Sequence, residues 1–214
     1  KFNLARIEQP NEDRTLKRLN LGCGNKKIKN FVNADINPMY NPDEVVDLNV
    51  FPWPWKDNEF DHIHASHILE HLGTSSEDFV QVIKEMVRVS NTNAIWEISI
   101  PHWRCDIALD DPYHRRLITV GMFNQFNRQL SLKRLRDIGA QELLGFEHGI
   151  DIEVCDTQFE YLPHWKQRLL NKEITEDELT YALNTFNNVA LETRILIQIY
   201  KPGRVDQSDL DRVL

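Results

Sequence analysis

Two glycines and one aspartate, placed at the ends of the first two predicted strands, constrain the fold of this chain more than any other feature. The segment Leu16–Leu21 predicts a buried strand that ends in Gly22-Cys23-Gly24, and Phe31–Ile36 predicts a second strand that carries Asp35. Glycines at a strand end let the backbone turn sharply and leave room for a ligand. An acid at the end of the neighbouring strand lies at the same sheet edge, where open α/β sheets bind nucleotides.

The same spacing argues against a dinucleotide-binding fold. Lys27 stands where the G-x-G-x-x-G pattern requires its third glycine, and Asp35 follows Gly24 by eleven residues instead of about 20. The connection between the two strands is also shorter than the ~10–12 residues that a crossover with a full helix needs. An oxidoreductase with a pyrophosphate-binding helix is therefore a poor fit to this sequence.

Strand and helix patterns alternate along the rest of the chain. Further strands are predicted at Glu44–Asp47, Phe60–Ser66, Ala94–Ile100, around Glu142–Phe146 and at Thr193–Tyr200, and helices at Glu77–Val89, Ser131–Gly139, Leu162–Leu170 and Glu176–Phe186. This order predicts an α/β fold, a Rossmann-like doubly wound and mainly parallel sheet with a helical insert before the last strand. After a polar lead-in at residues 1–14, residues 1–202 are expected to form one domain. Its insert at 155–190 would act as a lid or a homodimer contact, and a loose polar tail would follow at 203–214.

Composition narrows the classes of partner. No apolar run approaches the ~18 residues of a membrane span, so no membrane association is expected. The three cysteines form neither a paired framework nor a C-x-x-C site, which favours a reduced, cytoplasmic setting. The net charge of −8 argues against nucleic acid, whose binders usually present a basic face.

Four segments, in order, resemble the motifs of class I S-adenosylmethionine-dependent methyltransferases, and of a branch of small enzymes associated with the modification of sugars and natural products. The segments are Leu19-Asn-Leu-Gly-Cys-Gly24, Phe31-Val-Asn-Ala-Asp-Ile-Asn-Pro38, Asp47-Leu48 with the following Phe51-Pro-Trp-Pro-Trp55 and Asp57–Asp61, and Ile63-His-Ala-Ser-His-Ile-Leu-Glu-His-Leu72. The resemblance covers about residues 16–100 and implies S-adenosylmethionine as cofactor, with S-adenosylhomocysteine as the product.

The resemblance also implies which residues contact the cofactor. The methionine part would lie against Gly22, Cys23, Gly24, Asn25 and His67, the ribose against Asp35 and its neighbour Ile36, and the adenine against Asp47 and Leu48. No metal ligand is implied by these motifs.

Two histidines after the fifth strand are the candidate catalytic residues. His102 directly follows the strand and should lie at the same edge as the glycines, and Asp111-Pro112-Tyr113-His114 is similar to an Asp-Pro-x-His segment in related small methyltransferases. A histidine with a near-neutral pKa can take the proton of an attacking hydroxyl or amine. We therefore expect methyl transfer to an O or N nucleophile of a small molecule or glycan, with His102 or His114 as the base, although Asp111 and His114 could equally brace their loop.

Three other functions remain open at this point. The chain could be a regulatory module that binds S-adenosylmethionine without turnover. It could be a zinc hydrolase, because His67-Ile-Leu-Glu-His71 matches H-x-x-E-H, although such a site needs both histidines on one helix face and a third ligand. Methylation of nucleic acid is disfavoured by the acidic charge and by Ile100-Pro101-His102, which occupies the place of the Pro-Pro motif of amino-methylating DNA enzymes.

Overall fold

Seven strands of the described residues form one sheet in the order β3-β2-β1-β4-β5-β7-β6. The computed structural model describes Phe2, residues 16–139 and residues 142–213, so the rest of the predicted lead-in lies outside the described residues. The strands are β1 Arg18–Leu21, β2 Val32–Asp35, β3 Glu44–Val45, β4 Phe60–Ser66, β5 Ser90–Pro101, β6 Ile152–Tyr161 and β7 Ala190–Ile199. The helices are α1 Ser76–Val89, α2 Ile107–Asp110, α3 Val120–Asn124, α4 Arg128–Ile138, α5 Leu144–Glu147, α6 Pro163–Leu170, α7 Glu176–Thr185 and α8 Gln207–Asp211.

The direction of the strands brings both halves of the chain to one edge of the sheet. Strands β1 to β5 pair in parallel, whereas β7 runs antiparallel to both of its neighbours, β5 and β6. The carboxyl ends of β1, β2, β4 and β5 therefore meet the amino end of β7. The predicted α/β class and the mainly parallel, Rossmann-like sheet are confirmed.

Buried amides stabilise the short connection between β1 and β2. The Asn20 side chain donates to Asn33 Oδ1 at 3.0 Å, and the same oxygen accepts from the Ile28 backbone N–H at 2.7 Å. Asn33 Nδ2 also donates to the carbonyls of Ile28 and Phe31. These hydrogen bonds satisfy backbone N–H and C=O groups of the loop that would otherwise need partners within a helix or from water. The crossover can thus omit the helix, as the spacing of Gly24 and Asp35 predicts.

Helix α1 covers one face of the sheet. The helix predicted at Glu77–Val89 forms and begins at Ser76, where Ser75 and Asp78 make a reciprocal capping box. The apolar face of the helix carries Phe79, Ile83 and Met86 into a core that continues through the central strands. None of the helices formed by the described residues is long and apolar enough to cross a membrane.

Two predicted boundaries near the middle of the chain are wrong. The helix predicted to begin at Ser131 begins at Arg128, because the Asn127 side chain caps it by accepting the Leu130 N–H at 3.0 Å, and Ser131 is buried inside the helix. The strand expected around Glu142–Phe146 is instead the short helix α5, and the strand begins at Ile152. A short apolar run cannot distinguish strand from helix by periodicity alone.

The C-terminal third also differs from the expectation. Residues 155–161 belong to β6, so the two helices between the last strands occupy less than the predicted 155–190. These helices bury their own small cluster, which includes Ile174 and Leu179, against the ends of β6 and β7. The segment predicted as a loose tail contains α8, which Asp206 caps and which buries Leu210.

Candidate active site

A cavity of about 150 Å³ lies where β1 and β2 end. Five of the nine residues predicted to contact a cofactor line it, namely Gly22, Asp35, Ile36, Asp47 and Leu48. The side chains of Val46, Ile68 and Leu72 add apolar walls. Ligand pockets usually enclose ~300–1,000 Å³, so this cleft surrounds one part of a ligand and leaves the rest over the open Gly22–Gly24 turn.

Asp35 occupies the centre of this arrangement. Its Oδ2 accepts the Gly24 backbone N–H at 2.8 Å, and its Oδ1 accepts that of Asn37, also at 2.8 Å. A carboxylate offers about four acceptor positions, so both oxygens keep lone pairs for hydroxyl groups in the cleft. The residue that borders the ligand thus also fixes the shape of the glycine turn.

The two glycines of the turn serve different purposes. Both have positive φ, +60° at Gly22 and +50° at Gly24, a region that non-glycine residues rarely adopt. A Cβ on Gly22 would lie 2.5 Å from Ile68 Cγ1, whereas a Cβ on Gly24 would meet nothing within 4 Å. Gly22 therefore allows Ile68 to pack, and Gly24 leaves open space for a ligand.

Cys23 and Asn25, also predicted at this site, lie beside the cleft. Cys23 is buried and donates its backbone N–H to the Ala34 carbonyl at 3.0 Å. Burial, with the nearby charge of Asp35, raises the pKa of its thiol, which keeps the sulfur protonated and unreactive. Asn25 is exposed at the end of the turn.

His67, at the end of β4, forms an ion pair with a carboxylate on β7, two strands away in the sheet. It follows β4 with a positive φ of +52°, and its Nε2 lies 2.7 Å from Glu192 Oε2 on β7. Its Nδ1 lies 3.4 Å from Glu70 Oε1. The hydrogen bond with Glu192, followed by the ion pair with Glu70, raises the pKa of His67 to about 9. The imidazole is therefore a cation at neutral pH, held between two carboxylates.

The charge of the cleft favours a cationic ligand. Asp35 and Asp47 contribute carboxylates to its lining, and no lysine or arginine is among the described residues that line it. A dinucleotide would bring an anionic pyrophosphate to these acids, whereas the sulfonium of S-adenosylmethionine brings a positive charge. The residues present fit the second group.

A second cavity, of about 350 Å³, opens at the same edge between β5, β6 and β7. Its lining includes His102, Thr193 on β7, Phe159 on β6, and Leu183 and Asn184 on α7. Its volume suits a small ligand. The sequence did not indicate the contributions of β6 and β7, because only the antiparallel placement of β7 brings them to this edge.

Hydrogen bonds give the two candidate bases different protonation patterns. His102 is 5% exposed, and its Nδ1 accepts the Arg104 backbone N–H at 3.3 Å, so its neutral ring carries the proton on Nε2. Burial, together with the charge of Arg104, lowers the pKa of His102. In His114, Nδ1 lies 3.0 Å from the Ala108 carbonyl and must donate to it, which leaves Nε2 as a free acceptor.

The H-x-x-E-H segment does not form the helix face that a zinc peptidase needs. A turn at His67 separates β4 from a single 3-10 turn at Leu69–His71, and His67 pairs with Glu192. His71 instead lines the first cavity, and its ring lies 4.7 Å from that of His114. The two histidines of the motif thus have different partners.

Comparisons with known proteins show what this chain is similar to. Residues 19–95 match a family model described as a methyltransferase domain. A SAM-dependent methyltransferase from Archaeoglobus fulgidus aligns with 16% identity and a TM-score of 0.56, over 86% of each chain. The [4+2]-cyclase SpnF aligns with 14% identity and a TM-score of 0.50, over 86% of this chain and 75% of that one. No curated protein matches the chain.

Proposed function

We propose that this class I S-adenosylmethionine-dependent methyltransferase transfers a methyl group to an O or N nucleophile of a small molecule or glycan. The acidic cleft at the ends of β1 and β2 carries the proposal, because Asp35 borders it and also holds the Gly24 turn. When bound, S-adenosylmethionine supplies an already activated methyl group, so binding and orientation are the main tasks of the protein.

We assign the ribose to Asp35 and Ile36, and the adenine to the apolar wall beside Asp47 and Leu48. Asp35 supports this assignment with free lone pairs on a carboxylate at the cavity, and Leu48 with a buried apolar side chain. The methionine part would then extend over the open turn of Gly22, Cys23, Gly24 and Asn25 toward His67. The cationic ring of His67 is compensated there by two carboxylates, so it does not repel the sulfonium strongly.

The 350 Å³ cavity is the proposed acceptor pocket. There His102 would donate through Nε2–H and orient the acceptor, since its Nδ1 already accepts the backbone N–H of Arg104. His114 lies outside the lining of this cavity, beside His71 of the cofactor cleft, and its free Nε2 makes it the better proton acceptor of the two. Helices α6 and α7 would close the pocket as a lid, a role that Leu183 and Asn184 in its lining support.

Cofactor binding can be tested without knowing the acceptor. S-adenosylhomocysteine at 100 times its dissociation constant contributes ~2.7 kcal/mol, which should raise the melting temperature by ~5–10 °C in a domain of this size. Asp35→Asn should weaken binding ~10–100-fold, because the amide loses a charge-assisted acceptor. Asp43→Asn is the matched control, since Asp43 accepts the Asn33 backbone N–H outside the cleft. Equal binding by wild type and Asp35→Asn would contradict the assignment.

Turnover requires a screen of alcohols, amines and glycans for acceptor-dependent formation of S-adenosylhomocysteine. With an acceptor found, His114→Gln should lower kcat ~10²–10⁴-fold, whereas His102→Gln should mainly raise KM. If the double variant His102→Gln/His114→Gln kept the kcat and KM of wild type, both assignments would be refuted. Tight binding of S-adenosylhomocysteine without methylation of any acceptor is the result expected for a regulatory module.

A further inference from the structure

Beside the cofactor cleft, a buried carboxylate faces two histidines. One ligand atom from each of Glu70, His71 and His114 lies within 4.8 Å of the others. The three residues come from the 3-10 turn after β4 and from the loop between α2 and α3, so the fold and not the sequence spacing brings them together.

Glu70 lacks the hydrogen bonds that a buried carboxylate requires. It is 2% exposed, and neither of its carboxylate oxygens accepts a hydrogen bond from any described residue. The His67 contact at 3.4 Å is an ion pair that does not meet hydrogen-bond geometry. Buried charges are normally paired and hydrogen-bonded, or they coordinate a metal. The ion pair with His67 leaves both Glu70 oxygens without a hydrogen bond, so this carboxylate beside two further imidazoles can accept a metal ion.

Both histidines are already oriented for metal binding. His71 Nδ1 lies 3.3 Å from the Tyr113 carbonyl, and His114 Nδ1 lies 3.0 Å from the Ala108 carbonyl. Carbonyls only accept, so each Nδ1 carries the proton and each Nε2 keeps its lone pair. A backbone carbonyl on the second nitrogen is the usual outer partner of a metal-binding histidine. Asp111 Oδ2, 4.0 Å from His114 Nε2, adds negative charge nearby.

We propose that Glu70, His71 and His114 bind one divalent transition-metal ion, with zinc as the best match. Two imidazoles and one carboxylate form a three-ligand set that leaves a coordination position open. Tetrahedral zinc places its ligand atoms about 3.4 Å apart, so the ligand atoms, now within 4.8 Å of one another, close by up to ~1.4 Å on binding. Magnesium and calcium prefer sites made wholly of oxygen and should bind weakly.

The position of the ion gives it a role that rests on the proposed function. His71 belongs to both the metal set and the cofactor cleft. An ion there would lower the pKa of an acceptor hydroxyl bound at the open position, and the hydroxyl proton would pass to water. The alkoxide oxygen would then bond to the methyl carbon while the carbon–sulfur bond of the sulfonium breaks, which leaves S-adenosylhomocysteine. In the metal-bound protein His114 is a ligand and no longer a base, so the metal-bound and metal-free forms remove the proton differently.

Calorimetric titration of chelator-treated protein with ZnCl₂, in the absence of any cofactor, tests the site. Wild type should bind one equivalent, and His71→Gln, His114→Gln and Glu70→Gln should each weaken binding at least ~10-fold. His164→Gln removes an exposed histidine elsewhere and should bind like wild type. Near-UV circular dichroism shows whether each variant is folded, and His114→Gln, at a half-buried loop residue, is informative even if Glu70→Gln does not fold.

The visible spectrum of bound Co²⁺ provides a second measurement. Wild type should show strong d–d bands of a four- or five-coordinate site, which His114→Gln loses. Equal zinc binding by wild type and the His71→Gln/His114→Gln double variant, or loss of binding in His164→Gln, would overturn the proposal. Tight binding of MgCl₂ without any Co²⁺ d–d bands would overturn the assignment of the site to a transition metal. Zinc binding by a protein that does not bind S-adenosylhomocysteine would refute the proposed function and leave the metal site intact.

Discussion

The imidazolium of His67, held between Glu192 and Glu70, should make folding stability depend on pH above neutrality. The rise of its pKa from 6.5 to about 9 corresponds to at most ~3.4 kcal/mol, at ~1.36 kcal/mol for each pKa unit. Because 38% of the side chain is exposed, solvent screening reduces this contribution to ~1–2 kcal/mol.

The sign follows from proton binding. Between pH 6.5 and about 9 the folded protein holds a proton on His67 that the unfolded chain releases. The stabilisation is therefore complete below pH 6.5 and is lost as the pH rises through about 9. His67→Gln removes this dependence, so the difference in unfolding free energy between wild type and variant should shrink by ~1–2 kcal/mol from pH 6 to pH 10.

Urea unfolding at pH 6, 8 and 10 measures this difference. The exposed His164 provides the control variant His164→Gln, which should track wild type at every pH. A direct NMR titration should place the His67 pKa near 9 in wild type and lower in Glu192→Gln. A wild-type-minus-variant difference that is constant from pH 6 to pH 10, or a His67 pKa near 6.5, would refute the reasoning.

Three further predictions concern the glycine turn, the ion pair of Arg204 and the side-chain amine of Lys201. Gly22→Ala should destabilise the fold by more than the ~1–2 kcal/mol that a positive φ costs, because the new Cβ overlaps Ile68. Gly24→Ala should cost only that backbone strain and should mainly weaken the binding of S-adenosylhomocysteine. Chemical denaturation measures the loss of stability, and calorimetry measures the loss of binding. Arg204→Ala should lower the free energy of unfolding by ~3–5 kcal/mol, because it leaves the fully buried carboxylate of Asp151 without its ion-pair partner. Arg212→Ala, which removes the more exposed ion pair with Asp209, should lower it by under ~1 kcal/mol, and chemical denaturation measures both. Burial lowers the pKa of Lys201 to about 8, so wild type should gain stability from pH 8 to pH 10.5 relative to Lys201→Met in the same assay; a flat difference would contradict this.

The cofactor half of the fold could be predicted because its signals are local. Residues 19–95 match a methyltransferase-domain family model, and the fold is the one that the resemblance to class I S-adenosylmethionine-dependent methyltransferases implies. Gly22 and Asp35 could be placed at one edge because the ends of parallel strands meet there. Their common lining of one cavity follows directly from that topology.

The proposed acceptor pocket could not be predicted, because its contacts are long-range. Glu192 and Thr193 reach the site only through the reversed direction of β7, which no short pattern encodes. Serine and asparagine are both preferred helix-cap residues, so the sequence does not distinguish Ser131 from Asn127 as the start of α4. In the structure Asn127 caps the helix and Ser131 is buried within it. The meeting of Glu70 with a histidine 44 residues later likewise depends on how the loop after α2 folds back.

The antiparallel pairing of β6 and β7 has a consequence for how this enzyme could change over time. The two strands form a hairpin whose tip, residues 162–189, carries α6 and α7 to the proposed acceptor pocket, while the described residues that line the cofactor cleft all fall within residues 22–72. A hairpin tip can be lengthened, shortened or exchanged without altering the register of the strands below it. In the proposed acceptor pocket, Leu183 and Asn184 come from this tip. Replacing residues 162–189 between relatives in directed evolution should therefore change one wall of that pocket and leave the lining of the cofactor cleft unaltered.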